Sequence, residues 1–477
     1  MKECAKTYLA NLGYMVNNDA LSIIEQCDNW YANRQIENFH KRKNLNGVEV
    51  ELSQMNFAKR CCSDDANLCE VVSVSPEKES TSKEFIETLL KQNRFDVRYR
   101  EQLEKISATG TAGAYIYLKN AKFFKNPVTQ KVSVKGGKIR INYVDADCIV
   151  PLTVENGLVT ECAFCATNKV HGKDKTTLVI FTKEVVGEKE FYKAETVVFN
   201  NQGIKMETES SVIQLGEIKP FAIMANAEVN NLDNMEGYGL PKVYNAIPLL
   251  KAVDLCYNLL YGDLSKGDKL VFLNELLACI KMGDDGQPHL TPQQKEVFIL
   301  LGEGGGKLPE EKTLVQEYNP EIRVEAITKA FELVLSLLSM SFGYGTKKYT
   351  FENGKITTAT EYIGTKQDSM QELNKQRKQS SDYIEDIIHA AEWFSNQFLG
   401  TSFNAEELLS IEYDDSYITD KESELNRLRS DAMSFDIPKL TIMYLMKAYN
   451  MPEDEATNLV MQKNAEEEQD TDGDDED

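Results

Sequence analysis

Residues 18–66 read as helical, carrying Trp30-Tyr31, Phe39 and the stretch Met55-Asn56-Phe57-Ala58-Lys59-Arg60. A short apolar run over 68–74 closes on Ser75-Pro76, and a second helical stretch, 82–106, carries Phe85, Leu89 and Leu90. From Gly110 the repeat of apolar positions shortens to two, which predicts strands at 114–118, 158–166, 177–182, 190–193 and 196–199. The clearest hairpin runs Val132-Ser133-Val134, a Lys135-Gly136-Gly137-Lys138 turn, then Ile139-Arg140-Ile141-Asn142-Tyr143. Helices followed by an antiparallel β platform give an α+β class.

The helical period returns after the turn-rich Asn230-Asn231-Leu232-Asp233-Asn234 and Glu236-Gly237-Tyr238-Gly239-Leu240-Pro241, with proline at a permitted first-turn position. A helix is predicted to about residue 265, apolar on more than one side, with Gly267 ending it. A compact insertion follows, with a strand at 269–273 and a helix from Thr291-Pro292 to about 301. Next comes a helix over 321–341 with Val324, Ile327, Phe331, Val334 and Leu338 on one stripe and Leu333, Leu335 and Leu337 around the rest. So apolar a helix is buried within a subunit or between subunits.

A loop rich in glycine, aromatics and lysine then runs from Phe342-Gly343-Tyr344-Gly345-Thr346-Lys347-Lys348-Tyr349 to Thr357. Thr358-Ala359-Thr360-Glu361 has the capping-box spacing and opens a helix that continues to Phe398, about 60 Å long at ~1.5 Å per residue. Its stripe is Ile363, Met370, Leu373, Arg377, Ser380, Ile384, Ile387, Ala391, Phe394 and Phe398; polar Arg377 and Ser380 argue against one dry core along its length. A strand at 408–413, helices at 421–433 and 438–449, a last helix from Met451-Pro452-Glu453 and an acidic, solvated end complete the chain.

Composition narrows the function classes. A length of 477 residues favours several sub-domains, and 42% hydrophobic with 27% charged residues is that of a folded chain. The net charge of −23 opposes a tight nucleic-acid clamp but suits a wall past which a duplex slides. The first residues lack an apolar leader core and no stretch is long enough for a membrane span, so a cytoplasmic site of synthesis is expected. The ten cysteines lack the spacing of a secreted scaffold and read as reduced core thiols. Cys162 and Cys165, three apart on a strand, point to opposite faces and share no metal. His40, His171, His289 and His389 are scattered, and none is assigned a ligand role.

Catalytic signatures are absent: no GxGxxG, GxSxG, HExxH or calcium loop occurs. Gly302-Glu303-Gly304-Gly305-Gly306-Lys307 fails as a phosphate loop because Leu301 stands where its first glycine belongs, Leu308 follows the lysine, and a helix is expected before it. Asp414, Asp415 and Asp420, and Asp284-Asp285-Gly286, read as solvated turns. No catalytic residue, metal or cofactor is assigned.

The order of these elements, with several phrases, resembles the portal proteins of long-tailed phages of Gram-positive bacteria. Those phrases are Met55-Asn56-Phe57-Ala58-Lys59 with Asp65-Ala66-Asn67-Leu68, then Asn234 to Pro241 entering a helix with Lys251 and Asp254, and Thr358-Ala359-Thr360-Glu361 after a Gly-aromatic loop. The resemblance spans nearly the whole chain, departing at Cys69-Glu70 and in the Gly-rich turn of the insertion. It implies a virion protein assembled in the host cytoplasm into a ring, usually of twelve subunits, at one capsid vertex. Double-stranded DNA would pass through it transiently and without sequence specificity. Its expected partners are the terminase large subunit, the major capsid and scaffolding proteins and a head-completion adaptor, with no membrane.

On this sequence the resemblance implies a wing over 18–239, stem helices at 240–266 and 322–341, and a clip over 267–321. A tunnel loop over 342–357, a long wing helix over 358–399, a crown over 400–463 and an acidic tail over 464–477 follow. Tyr344, Thr346, Lys347, Lys348 and Tyr349 would face DNA, and Val324, Ile327, Phe331, Val334 and Leu338 would pack subunits together. The alternative for Lys347 and Lys348 is that they only keep a surface loop soluble. Competing readings of the whole chain are an accessory head or tail protein without a channel, and an enzyme using a cysteine or paired carboxylates.

Overall fold

The computed structural model describes residues 2–43, 47–78, 80–125, 132–170, 172–187, 189–267, 270–274, 298–301, 315–319, 321–346, 348–349, 359–414, 421–435, 437–449, 451–452 and 455–462. They form two compact units, Met1–Asn67 with Ser75–Leu409, and Leu68–Val74 with Ser410–Asp477.

The larger unit begins with α1 (Glu3–Asn11) and α2 (Asn18–Tyr31), the latter capped by the Asn17 side chain, which accepts from the Ala20 amide at 2.9 Å. The helical reading of 18–66 is corrected in its middle. Lys41–Lys43 (β1) and Glu49–Glu51 (β2) pair antiparallel, and α3 is Phe57–Ala66. Neither strand carries an apolar stripe that a helix could bury, and Lys and Glu face one another across the pair, Lys41 opposite Glu51 and Lys43 opposite Glu49. The 82–106 stretch is two helices, α4 (Lys83–Gln92) and α5 (Phe95–Thr109), broken where Arg94 takes a left-handed φ of 51°.

The β platform is two antiparallel sheets. Five strands follow chain order across the first: β8 (Ile149–Glu155), β9 (Leu158–Val170), β10 (Lys173–Val186), β11 (Lys189–Phe199) and β12 (Ser211–Gln214). Residues 190–199, read as two strands, are one, because every residue of β11 finds a partner on β10. One face of this sheet, with Val150, Ala163, Cys165, Leu178, Ile180 and Val197, buries Ala5 and Leu9 of α1. Cys162, also buried, lies off that cluster, as strand alternation requires of residues three apart.

The second sheet has the order β13 (Phe221–Ala225), β4 (Thr111–Lys119) and β7 (Lys138–Asp145). The hairpin expected across Gly136-Gly137 does not form. Lys122–Lys125 (β5) pairs with Val132–Lys135 (β6), and β7 pairs instead with β4, Ile116 opposite Ile141. Each strand has the right alternation, and each finds its partner upstream. Aromatic rings meet across the two sheets, with Tyr115 5.0 Å from Phe164 and Phe181 5.5 Å from Phe221.

Where β4 begins and the next helix starts, two backbones touch. A Cβ on Gly239 would lie 2.3 Å from the Gly110 carbonyl oxygen, and one on Gly110 2.2 Å from that of Gly239. The Asn226 amide donates to Gly110 O at 2.9 Å and its side chain to Leu240 O at 2.7 Å, locking the crossing. From it runs α6 (Lys242–Lys266), which packs against α7 (Val324–Ser341).

Between these helices lies a three-stranded sheet with β14 (Leu270–Asn274) at its centre, parallel to β15 (Phe298–Leu301) and antiparallel to β16 (Val315–Tyr318). The expected helix end at 298–301 is therefore a strand. A strand, not a helix, precedes Gly302, so the case against a phosphate loop rests on Leu301 and Leu308 alone. The Gly302–Lys307 run, Asp284-Asp285-Gly286 and the start of the expected helix at Thr291-Pro292 lie outside the described residues.

The long helix is α8 (Ala359–Leu399). Leu373, Ile384, Ile387, Ala391 and Phe394 of its stripe are buried, while Met370 is exposed and Ile363 lies outside the described side chains. Ser380 does not interrupt the buried face: it is wholly buried, its hydroxyl 3.6 Å from the Met224 sulfur of β13.

In the smaller unit a strand pair joins β3 (Val71–Pro76) with β17 (Leu409–Tyr413), followed by α9 (Lys421–Phe435), α10 (Pro438–Tyr449) and a last helix, 455–462. No residue of α10 is buried, although Leu440, Ile442, Met443, Leu445 and Met446 lie on it. Asp415, Asp420 and the acidic end lie outside the described residues.

Candidate functional site

The Gly-aromatic loop is set by how α7 ends. Gly343 adopts φ 80°, its amide donates to Met340 O at 3.0 Å, and the Tyr344 amide donates to Ser339 O at 3.1 Å. This pair of bonds is the Schellman motif, which satisfies the last carbonyls of the helix and favours glycine at the left-handed position. It turns Tyr344 inward, 2% exposed.

Inside, the Tyr344 hydroxyl donates to Asp65 Oδ1 of α3 at 2.9 Å. The same oxygen accepts from Lys242 Nζ at 3.0 Å, and Glu228 Oε1 stands 3.7 Å from that ammonium. Lys242 is the first residue of α6, where the positive end of the helix dipole disfavours a cation. Buried there, it needs the two carboxylates. Burial, then Asp65, pushes the Tyr344 hydroxyl well above its usual range, so it stays a donor at any physiological pH.

Tyr349 returns to the same wall of α3. Its ring meets Phe57 edge-on at 5.1 Å and Tyr344 at 6.3 Å, and its hydroxyl lies against the Cys61 thiol. Burial raises both Cys61 and Cys62, the latter to about 12, so neither is a thiolate nucleophile at neutral pH.

Tyr344 and Tyr349, expected to face DNA, are buried in this chain, at 2% and 9% exposure, and anchor the loop against α3. Thr346 is exposed. Lys348 is half-buried with its ammonium 5.4 Å from the Tyr344 ring centre. Lys347 and residues 350–358, including the Thr358 cap, lie outside the described residues.

A second contact ties α6 to the segment before α3. Asp254 accepts from the Met55 amide at 2.8 Å through Oδ1, and its Oδ2 lies 3.0 Å from His40 Nε2. His40, given no role from sequence, is fully buried, and Lys251 holds its ammonium 5.4 Å from the Phe39 ring. Asp65 of α3, Lys242 at the start of α6 and Tyr344 of the loop thus meet at one node. No signal local to the sequence marks this: Asp65 and Tyr344 are 279 residues apart.

The stripe expected to pack subunits splits. Ile327, Phe331 and Leu338 are buried within this chain, with Leu335, on the helix that packs against α6; Val334 is half-buried and Val324 exposed. The apolar residues left outward are others: Leu255, Tyr257, Leu259, Tyr261 and Leu264 on α6, and Leu333, Leu337 and Met340 on α7.

A cavity of about 870 Å³ is lined by residues of both sheets of the β platform, Tyr115, Tyr117, Phe164 and Phe181 among them. Its charged lining residues are paired, Lys59 with Glu104, Arg98 with Glu101 and Lys105 with Asp145. Among the described residues no three His, Cys, Asp or Glu side chains are grouped to hold a metal, and no helix is long and apolar enough to cross a membrane.

No protein-family model matches this chain, and no curated protein does. Among solved structures it is similar to a chain in the virion of a native gene transfer agent particle, with a TM-score of 0.36, 11% identity, and coverage of 79% of this chain and 85% of that one.

Proposed function

We propose that this chain is a portal subunit. It forms a ring-shaped channel at one capsid vertex through which a separate terminase motor drives double-stranded DNA inward, and through which the DNA later leaves. The observation that carries this reading is the apolar surface left on α6 and α7. Their buried stripes already satisfy one another, yet Leu259, Tyr261 and Leu264, and Leu333 and Met340, stay more than half exposed. Apolar area of that extent on two neighbouring helices has an unfavourable hydration free energy that a protein partner removes. In a closed ring every copy supplies and receives the same cover.

The order of elements supports the same reading: two helices flank a small sheet, and a Gly-aromatic loop then leads to a 41-residue helix. Of the described loop residues, Thr346 is exposed and Lys348 half-buried. A few lysines on an otherwise acidic chain touch phosphates without holding them. No step of chemistry is assigned to this chain; hydrolysis of nucleotide belongs to the motor, and an adaptor docks on the ring after packaging.

The test is the assembly state of the wild type and of a Leu259→Asp, Leu333→Asp double variant, weighed as whole particles. The wild type is expected as rings of about twelve 54.0 kDa chains and the variant as folded monomers. A wild type that stays monomeric at high concentration, or a variant that assembles as well as the wild type, contradicts the proposal.

A further inference from the structure

We infer that Asp65 is the positioning residue of the Gly-aromatic loop: its single Oδ1 atom couples the start of α6, through Lys242, to the loop root, through Tyr344. The inference rests on the reading that this loop meets DNA, and concerns what holds it in place. Asp65 Oδ1 takes Lys242 Nζ at 3.0 Å and the Tyr344 hydroxyl at 2.9 Å. Because one oxygen serves both donors, neither contact is independent of the other. A shift of the first turn of α6 moves the acceptor that pins the loop, and release of the loop takes one of its two donors from the Asp65 oxygen.

Everything between residues 342 and 349 that is described hangs from this point or from the ring contacts beside it. The Schellman turn fixes the direction of the chain, Asp65 fixes its depth, and Tyr349 closes the return against Phe57 and Cys61. Thr346 and Lys348 lie between the two anchors, so their reach is bounded on both sides. A hydrogen bond to a charged acceptor in a buried site is worth more than a neutral one, and its loss is felt as local opening before it is felt as global unfolding.

The experiment is amide hydrogen exchange on the full-length assembled protein for Tyr344→Phe, Asp65→Asn and the double variant, read at Gly345, Thr346 and Lys348. Residues 383–391 of α8 serve as the internal control. Tyr344→Phe keeps the ring and leaves the Asp65–Lys242 pair intact, so it folds even where Asp65→Asn does not. It is expected to speed exchange at the loop amides about tenfold with no change in α8, and the double variant is expected to do no more than Asp65→Asn alone.

Unchanged loop exchange in Tyr344→Phe overturns the inference, as does full additivity in the double variant. DNA retention in the same particles separates the two claims. Faster loop exchange with normal retention upholds the positioning role and sinks DNA contact by this loop. Normal exchange in Tyr344→Phe, together with lost retention in a Lys347→Glu, Lys348→Glu variant, does the reverse.

Discussion

Glu392 sits on α8 with no exposed surface, and neither of its carboxylate oxygens has a hydrogen-bond partner at good geometry among the described residues. Beside it, Glu407 accepts from Ser82 Oγ and, at 3.3 Å, from Ser80 Oγ. Burial first, then the Glu407 charge, raises the Glu392 carboxyl from 4.5 to about 8, with Ser82 pulling weakly the other way. At pH 7 the group is neutral and holds a proton that the unfolded chain has released. The folded state therefore binds more protons between pH 4.5 and 8, and its stability falls as pH rises through that window.

Each tenfold step in acidity corresponds to about 1.4 kcal/mol, which gives a ceiling of roughly 5 kcal/mol for the full interval. Water entry and relaxation around the charged form reduce it, and about 1–3 kcal/mol is the working expectation. Glu392→Gln keeps the shape and removes the titration. The assay is urea unfolding of both proteins in parallel at pH 5, 7 and 9, taking the difference at each pH so that Asp145, Glu385 and Asp386, also raised by burial, cancel. The variant is expected to gain on the wild type steadily as pH rises, by about 1–3 kcal/mol between pH 5 and 9. Parallel curves, or a variant that loses ground at high pH, refute the reasoning.

Gly239→Ala forces a methyl to within 2.3 Å of the Gly110 carbonyl and 2.7 Å of the Asn226 amide, so the crossing must open; a loss of about 2–4 kcal/mol in unfolding free energy is expected. Gly262→Ala, where no atom lies within 4 Å, serves as its control and is expected to be neutral or slightly stabilising. Lys347→Glu with Lys348→Glu is expected to leave rings intact and to impair DNA packaging or retention, read as packaged DNA per particle; normal packaging removes the two lysines from the mechanism.

Elements with a strong local pattern were legible in the sequence. Proline at 438 and an apolar run to Tyr449 bound α10 where it lies, and the unbroken pattern before Leu399 marked the long helix. What failed depended on partners. The strands flanking Gly136-Gly137 alternate as a hairpin does, but β4 had already presented eight residues to β7, and that longer ladder wins. Phe298–Leu301 is four apolar residues with no period of its own, and only the parallel partner β14 makes it a strand. Ser380 looked like a break in the long helix because a hydroxyl is polar; packed against Met224, it is small enough to be buried.

The loop was found from its glycines and aromatics, but composition does not say which aromatics point outward. Tyr344 and Tyr349 look identical in sequence to ligand-facing rings. The wall that buries them is built by Phe57, Cys61 and Asp65, nearly three hundred residues earlier. Sequence likewise indicated that α7 is too apolar to be free, and only its pairing with α6 shows which residues are used up inside the chain and which remain.

Negative-stain images of the purified protein test the central claim most directly. The account predicts rotationally symmetric rings with a central hole wide enough for a DNA duplex, present without DNA or partner proteins. Solid particles, open filaments or monomers at high concentration would contradict it.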